Sequence, residues 1–211
     1  MNALNKTQET YRRIAVDYAQ AQKERGQLLA QIEQFVSLLP SGGLVLDVGC
    51  GPGWDTAVLQ SHHLTAIGLD LNHEMMRVGR TEHNIQQPFA QVDMRRLPFV
   101  GQIDGIWACA SLLHLERNDM LPTLREFHRV LKPDGIAYLS VKLGHGEKWT
   151  STSYNRPLSR FFTFWQPETL DPLLETAAFQ IVDGWIEQGQ RDTWLVRYAR
   201  KQARDEMESS V

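Results

Sequence analysis

The chain is poor in cysteine: Cys50 and Cys109 are the only two in 211 residues, and they form no CxxC pair. That speaks against a disulfide framework and against a cysteine-built zinc site, so both thiols are read as reduced and buried. No apolar run approaches the roughly 20 residues that a membrane span needs. The opening MNALNKTQET lacks the basic-then-apolar layout of a secretory leader, so the expected location is the cytoplasm, with no membrane partner. There is no cationic excess either. With a formal net charge of -3, the chain offers little to attract a phosphate backbone. Histidines are present, but His62, His63, His73 and His83 lack ligand spacing, and HEMMR at 73–77 is not the HExxH of metal hydrolases. No metal is expected.

What is present suffices for one ample core: 42% of the residues are apolar, and 211 residues are too few for two full domains. One domain over 1–211 is expected. The first forty residues read as helix, with a short helix over 10–19 and another carrying Leu28, Leu29, Ile32, Phe35, Val36 and Leu39 at helical spacing. From Leu44 the pattern alternates strand and helix: strands over 44–48, 64–69, 89–92, 103–109 and 136–141, with helices near 54–60, 72–80 and 120–130. This is the rhythm of a parallel sheet wrapped in helices. Residues 142–166 break it with a long aromatic, Gly/Ser/Thr/Asn-rich stretch of the kind that forms lids. A helix over 167–176 and two strands near 180–186 and 193–199 follow, the latter pair joined as a hairpin. The polar tail from about residue 202 to 211 is expected to fray.

The most informative stretch is VLDVGCGPG, residues 45–53, which compresses a strand, a turn and a helix start. Gly49, Gly51 and Gly53 allow positive φ and close approach of a ligand to the backbone. A dinucleotide fingerprint wants its third glycine one residue later, where the bulky Trp54 stands. Asp47, at the strand end, would repel a pyrophosphate. The same acid suits S-adenosylmethionine, whose amino-acid half carries an ammonium and a sulfonium and whose nucleoside has no phosphate.

With GLDLN at 68–72, QVDMRRLPF at 91–99, and IDGIWACASLLHL and LREFHRVLKPDGIAYLSV beyond, the chain resembles the small class I S-adenosylmethionine-dependent methyltransferases from about Tyr11 to Arg200. The resemblance implies an α/β Rossmann-like three-layer sandwich, a seven-stranded mostly parallel sheet with the last strand antiparallel. It implies that Asp70 accepts from the ribose hydroxyls, that Asp93 accepts from the adenine amino group, and that the Met94 N–H donates to the ring. Leu71 and Met75 would touch the adenine, Met75 serving equally well as helix core. Asp47 would orient the methionine ammonium, directly or through water, beside Gly49, Cys50, Gly51 and Gly53. Cys109 and Ala110 would lie along the methionine moiety. Tyr18, assisted by Tyr11, would close the N-terminal helices over the cofactor, or simply pack an amphipathic helix.

His114, in SLLHL after the fourth strand, would face the methyl group and is the candidate general base, with packing or capping as the alternative. In the lid, Trp149, Tyr154 and Phe162 are candidates to roof an acceptor pocket, together with Phe161, Phe164 and Trp165. Arg156 and Arg160 can meet a substrate carboxylate or phosphate, or serve as solvated loop charges. The expected activity is methyl transfer to a small-molecule acceptor by in-line displacement. Two alternatives remain open: a tRNA-modifying enzyme of the wobble-uridine type, suggested by FFTFW and RDTWLVRYARK, and a non-catalytic S-adenosylmethionine-binding protein. The identity of the acceptor and the oligomeric state are not encoded in any recognisable motif.

Overall fold

Strand and helix alternate from Leu44 onward in the computed structural model, which describes residues 2–26 and 28–202. Five strands run parallel in the spatial order 3-2-1-4-5: β1 (Leu44–Val48), β2 (Thr65–Asp70), β3 (Phe89–Gln91), β4 (Ile103–Cys109) and β5 (Leu131–Lys142). Next come two short strands, β6 (Glu147–Trp149) and β7 (Phe161–Thr163), paired with each other as a separate antiparallel ribbon. The last two, β8 (Phe179–Gln188) and β9 (Thr193–Lys201), complete a seven-stranded sheet in which β9 inserts antiparallel between β5 and β8. The expected α/β sandwich with an antiparallel last strand is therefore the observed architecture.

Six α-helices among the described residues accompany the sheet: α1 (Ala3–Ala21), α2 (Leu28–Ser37), α3 (Trp54–Ser61), α4 (His73–His83), α5 (Arg117–Val130) and α6 (Pro167–Thr176). The period of two along each strand divides the core in two. Val45 and Trp107 cluster with Ile32 and Phe35 of α2 and Leu59 of α3, while Leu46 and Ile106 cluster with Leu124 and Phe127 of α5 and Leu170 of α6. Trp107 stacks on Tyr138 with ring centroids 3.7 Å apart. β1 and β4 are buried almost throughout, which is why they read as apolar runs rather than alternating ones.

Three expectations need correction. The helix expected over 10–19 is α1, which starts at Ala3 with Asn2 as its cap, the Asn2 side chain accepting from Asn5 N at 2.9 Å. Its first turns bury Thr7 and Thr10 rather than aliphatic residues, so apolar periodicity could not reveal them. The segment 142–166 is not wholly irregular, since it contains the β6–β7 ribbon. Those two threonines anchor it: Phe161 N donates to Thr7 Oγ1 at 3.0 Å and Thr10 Oγ1 donates to Ser159 O at 2.7 Å. Chain order also extends through Gln202, whose N–H donates to Ala178 O; the rest of the tail expected to fray, 203–211, lies outside the described residues. No helix among the described residues is long and apolar enough to cross a membrane.

Candidate functional site

The glycine turn joins β1 to α3 at the carboxyl edge of the sheet, where open α/β sheets place their ligands. Gly49 and Gly53 have φ of 77° and 91°. A Cβ on Gly49 would overlap the Ser111 side chain, and one on Gly53 would overlap the Phe89 ring. These two glycines are thus demanded by protein packing. Gly51 N donates to Asp70 Oδ2 at 2.8 Å, and Asn72 N donates to Oδ1 at 2.7 Å, so the Asp70 carboxylate is held from both sides. Burial pushes its pKa up, against the pull of these backbone N–H groups.

A cavity opens over this turn. Its walls bring together Tyr18, Gly49, Gly51, Asp70, Leu71, Met75, Asp93, Met94 and Ala110, all foreseen as cofactor contacts. Gln8, Asn72 and Ser111 join them unforeseen. Gln8 Oε1 and Ser111 Oγ are buried without a hydrogen-bond partner in the protein, as expected of a wall that awaits a polar ligand. A nucleoside with a vicinal diol fits this lining: an oriented carboxylate, orphaned polar atoms and the apolar Leu71 and Met75 side by side.

Four foreseen residues are placed otherwise. Cys50 and Gly53 lie outside the cavity lining, and Cys109 lines the adjoining cleft instead. Asp47 lines neither. It is buried, accepting from Thr56 Oγ1 at 2.6 Å. Burial, followed by the nearby Asp55 charge, raises its pKa to about 8. Asp55 in turn accepts a bidentate contact from Arg25 at 2.5 and 2.6 Å and a bond from Trp107 Nε1 at 2.9 Å. Asp47 thus stands behind the turn, outside both linings. Asp93 does line the cavity, but both its oxygens bond the Arg95 guanidinium, which also reaches Asp119 at 2.9 Å. Burial raises its pKa, and the Arg95 contacts outweigh this and keep it low.

α1 roofs the cavity. Trp54, the residue that breaks the dinucleotide fingerprint, donates its indole N–H to Ala19 O at 3.1 Å. Asn72 Nδ2 donates to Gln8 O at 2.7 Å. These two bonds hold α1 over the turn, so that Tyr11 and Tyr18 meet edge-to-face, centroids 5.5 Å apart, above the cavity. A second, more open cleft of about 900 Å³ extends from here towards α2 and the β8–β9 turn. The two spaces share Tyr11, Tyr18, Ala110 and His114.

His114 is fixed at that junction. Its Nδ1 faces Phe161 O at 2.7 Å, and a carbonyl only accepts, so Nδ1 carries the hydrogen. Burial holds its pKa down to about 3, so the ring is neutral and Nε2 accepts from Tyr11 OH at 2.8 Å. Both nitrogens are engaged and the ring is neutral, so His114, the expected general base, here fastens Tyr11 to the Phe161 carbonyl. Of the lid candidates, Tyr154, Arg160 and Phe162 line the open cleft. Trp149 instead faces outward beneath Lys6, and Arg156 pairs with Asp17 at 2.7 Å on the surface. Phe161 and Trp165 are core residues and Phe164 packs against the core. Among the described residues no cluster of His, Cys, Asp or Glu could hold a metal.

Known proteins resemble this chain in sequence and in fold. A family model described as a methyltransferase domain matches residues 45–135. The Bacillus subtilis protein YqeM, a candidate methyltransferase by name, is 37% identical over 108 residues, covering 49% of this chain and 44% of its own. A malonyl-[acyl-carrier protein] O-methyltransferase of Legionella pneumophila is 29% identical, covering 64% of this chain and 49% of its own. The chain thus spans about half the length of these curated relatives. Among solved structures, the Burkholderia thailandensis 1,6-didemethyltoxoflavin-N1-methyltransferase, with 1,6-didemethyltoxoflavin and S-adenosylhomocysteine bound, superposes with a TM-score of 0.67 at 22% identity, over 96% of this chain and 92% of that one.

Proposed function

We propose that the chain, whose residues 45–135 match a methyltransferase-domain model, is a class I S-adenosylmethionine-dependent methyltransferase that transfers a methyl group from that cofactor to a small molecule seated in the open cleft. One observation carries the reading: the cavity over the glycine turn and the cleft meet at a junction lined by Tyr11, Tyr18, Ala110 and His114. In-line displacement needs two binding spaces with one shared wall, and little else from the protein beyond alignment and exclusion of water. The cofactor supplies an activated methyl on a sulfonium.

Asp70 receives the ribose hydroxyls in this reading, its carboxylate already oriented by Gly51 and Asn72. Leu71 and Met75 flank the adenine, with Met94 donating its N–H and Asp93, held by Arg95, bordering the amino edge. Tyr18 and Ala110 border the methionine half. Asp47 acts from behind the turn, where a ligand ammonium nearby would favour its ionised form. His114 holds Tyr11, and Tyr11 closes the junction against water.

The chain's charge of -3 supports a small acceptor over RNA, since it offers little to attract a phosphate backbone. The test is transfer of labelled methyl from S-adenosylmethionine into a fractionated cell extract. Label is expected in the small-molecule fraction; label in RNA, or none in any fraction, would contradict the reading.

A further inference from the structure

Three cations point into the interior of the cleft, and they differ in one respect. Arg25 pairs with Asp55 and Lys142 with Asp192 at 2.9 Å. Arg160 pairs with no carboxylate among the described residues: Nε donates to Ser153 Oγ at 3.0 Å, Nη1 donates to Tyr11 OH at 3.1 Å, and Nη2 has no protein acceptor. Arg191, also on the cleft, sits at its exposed hairpin turn. Arg160 instead lies against three rings, 5.4 Å from the Tyr11 centroid, 5.6 Å from Tyr154 and 5.2 Å from Phe162.

We propose that the acceptor is a small molecule bearing a carboxylate, and that Arg160 holds this group at the inner end of the cleft, beside the junction. The proposal rests on the cleft being the acceptor site. A partly desolvated guanidinium without an anion is costly to keep, and a ligand carboxylate would offset that cost. Its planar fork suits a carboxylate better than a point charge would, because two parallel N–H bonds fix both distance and plane. The three rings lie around the guanidinium within reach of cation-π attraction. They also present apolar walls to the body of an acceptor. A further argument comes from the cofactor's charge. A sulfonium placed at the junction puts a second positive charge near Arg160, and an anion between the two relieves their repulsion.

Neighbouring Arg156 shows that this is a property of the site rather than of the segment. Four residues away, it is half-exposed, paired with Asp17 and bonded to Arg13 O, with no claim on a ligand.

The experiment is ligand-detected NMR on the full chain saturated with S-adenosylhomocysteine, using trans-cinnamate and its neutral isostere trans-cinnamamide. The wild type is expected to bind the carboxylate at least about tenfold more tightly than the amide. In Arg160→Met the two affinities should fall within about twofold of each other, and Arg160→Lys should keep only part of the preference, because it keeps the charge and loses the two-bond fork. S-adenosylhomocysteine affinity, measured on the same samples, reports an intact fold in each variant. Equal binding of the two probes by the wild type, binding of neither, or an undiminished preference in Arg160→Met overturns the proposal. If S-adenosylhomocysteine itself fails to bind the wild type, it is the methyltransferase reading that fails instead.

Discussion

Tyr11 and His114, 103 positions apart, share a 2.8 Å hydrogen bond in which the phenol donates to Nε2 of a neutral imidazole. Because Nδ1 of the same ring donates to Phe161 O, a single side chain ties together α1, the turn after β4 and β7. These three elements surround the junction between the two cavities. A histidine used in this way is a fastener, and its protonation would break the fastening.

The first prediction concerns that protonation. Burial lowers the His114 pKa from 6.5 to about 3, so the unfolded chain binds the proton more readily than the folded one. Its contribution to stability is therefore fully present above pH 6.5 and is lost as pH falls towards 3, by about 1.4 kcal/mol per pH unit at most. Imidazole carbon shifts of His114 should stay flat between pH 8 and 5. A titration centred near 6.5 would contradict the assigned tautomer and its burial.

Asp47 should show the opposite slope. Its folded pKa is raised to about 8 from 3.8, so the stability it contributes is present below 3.8 and is lost as pH rises towards 8. Asp47→Asn keeps an oxygen to accept from Thr56 and removes the ionisation. Thermal scans should show the variant gaining on the wild type between pH 5 and pH 8, with each kcal/mol worth roughly 2–4 °C in a chain of this size. A gap that does not change with pH would argue against a protonated Asp47.

The two kinds of glycine in the turn should separate by substitution. Gly53→Ala combines a φ of 91° with overlap on the Phe89 ring and should cost about 2–4 kcal/mol in urea unfolding. Part of that cost should vanish in the Phe89→Ala background, because the overlap is then gone. At Gly51 the nearest neighbours of an added Cβ are Met75 Cε at 3.4 Å and Tyr18 Cε1 at 3.7 Å, an ordinary fit. Gly51→Ala should cost only about 1 kcal/mol in folding, from its positive φ, while weakening S-adenosylhomocysteine binding. Equal stability costs at the two positions would refute this division.

Trp54 should govern how tightly α1 is held. Trp54→Phe removes the indole bond to Ala19 O, worth about 1 kcal/mol. Amide hydrogen exchange should accelerate in the last turns of α1 more than in β1 or β4. Uniform acceleration across the chain would mean that Trp54 serves the core rather than the roof.

Much of this arrangement was legible in the residues themselves. VLDVGCGPG and GLDLN are local: strand, turn and acid follow one another within a few positions, so the placement of Gly49, Gly51 and Asp70 follows from spacing alone. What could not be read depends on partners far apart in the chain. Nothing near Asp47 announces that Asp55 and Arg25 will crowd it, and nothing in SLLHL announces Tyr11. Arg156 and Arg160 are four residues apart in one polar loop. Only the bend of the loop at 153–156 and the entry into β7 turn one towards Asp17 and the other inward. The opposite failure occurred at α1, where buried threonines hid the first turns of a helix that aliphatic residues would have revealed.

The central claim is that the cavity over the glycine turn is a site for S-adenosylmethionine, and the most direct test is calorimetry with S-adenosylhomocysteine. The wild type should bind one equivalent. Asp70→Asn, which replaces one of the two oriented carboxylate oxygens by a donor, should bind roughly 10- to 100-fold more weakly, as expected when a charged hydrogen-bond acceptor is lost. No heat with the wild type, or an affinity unchanged in Asp70→Asn, would contradict the account.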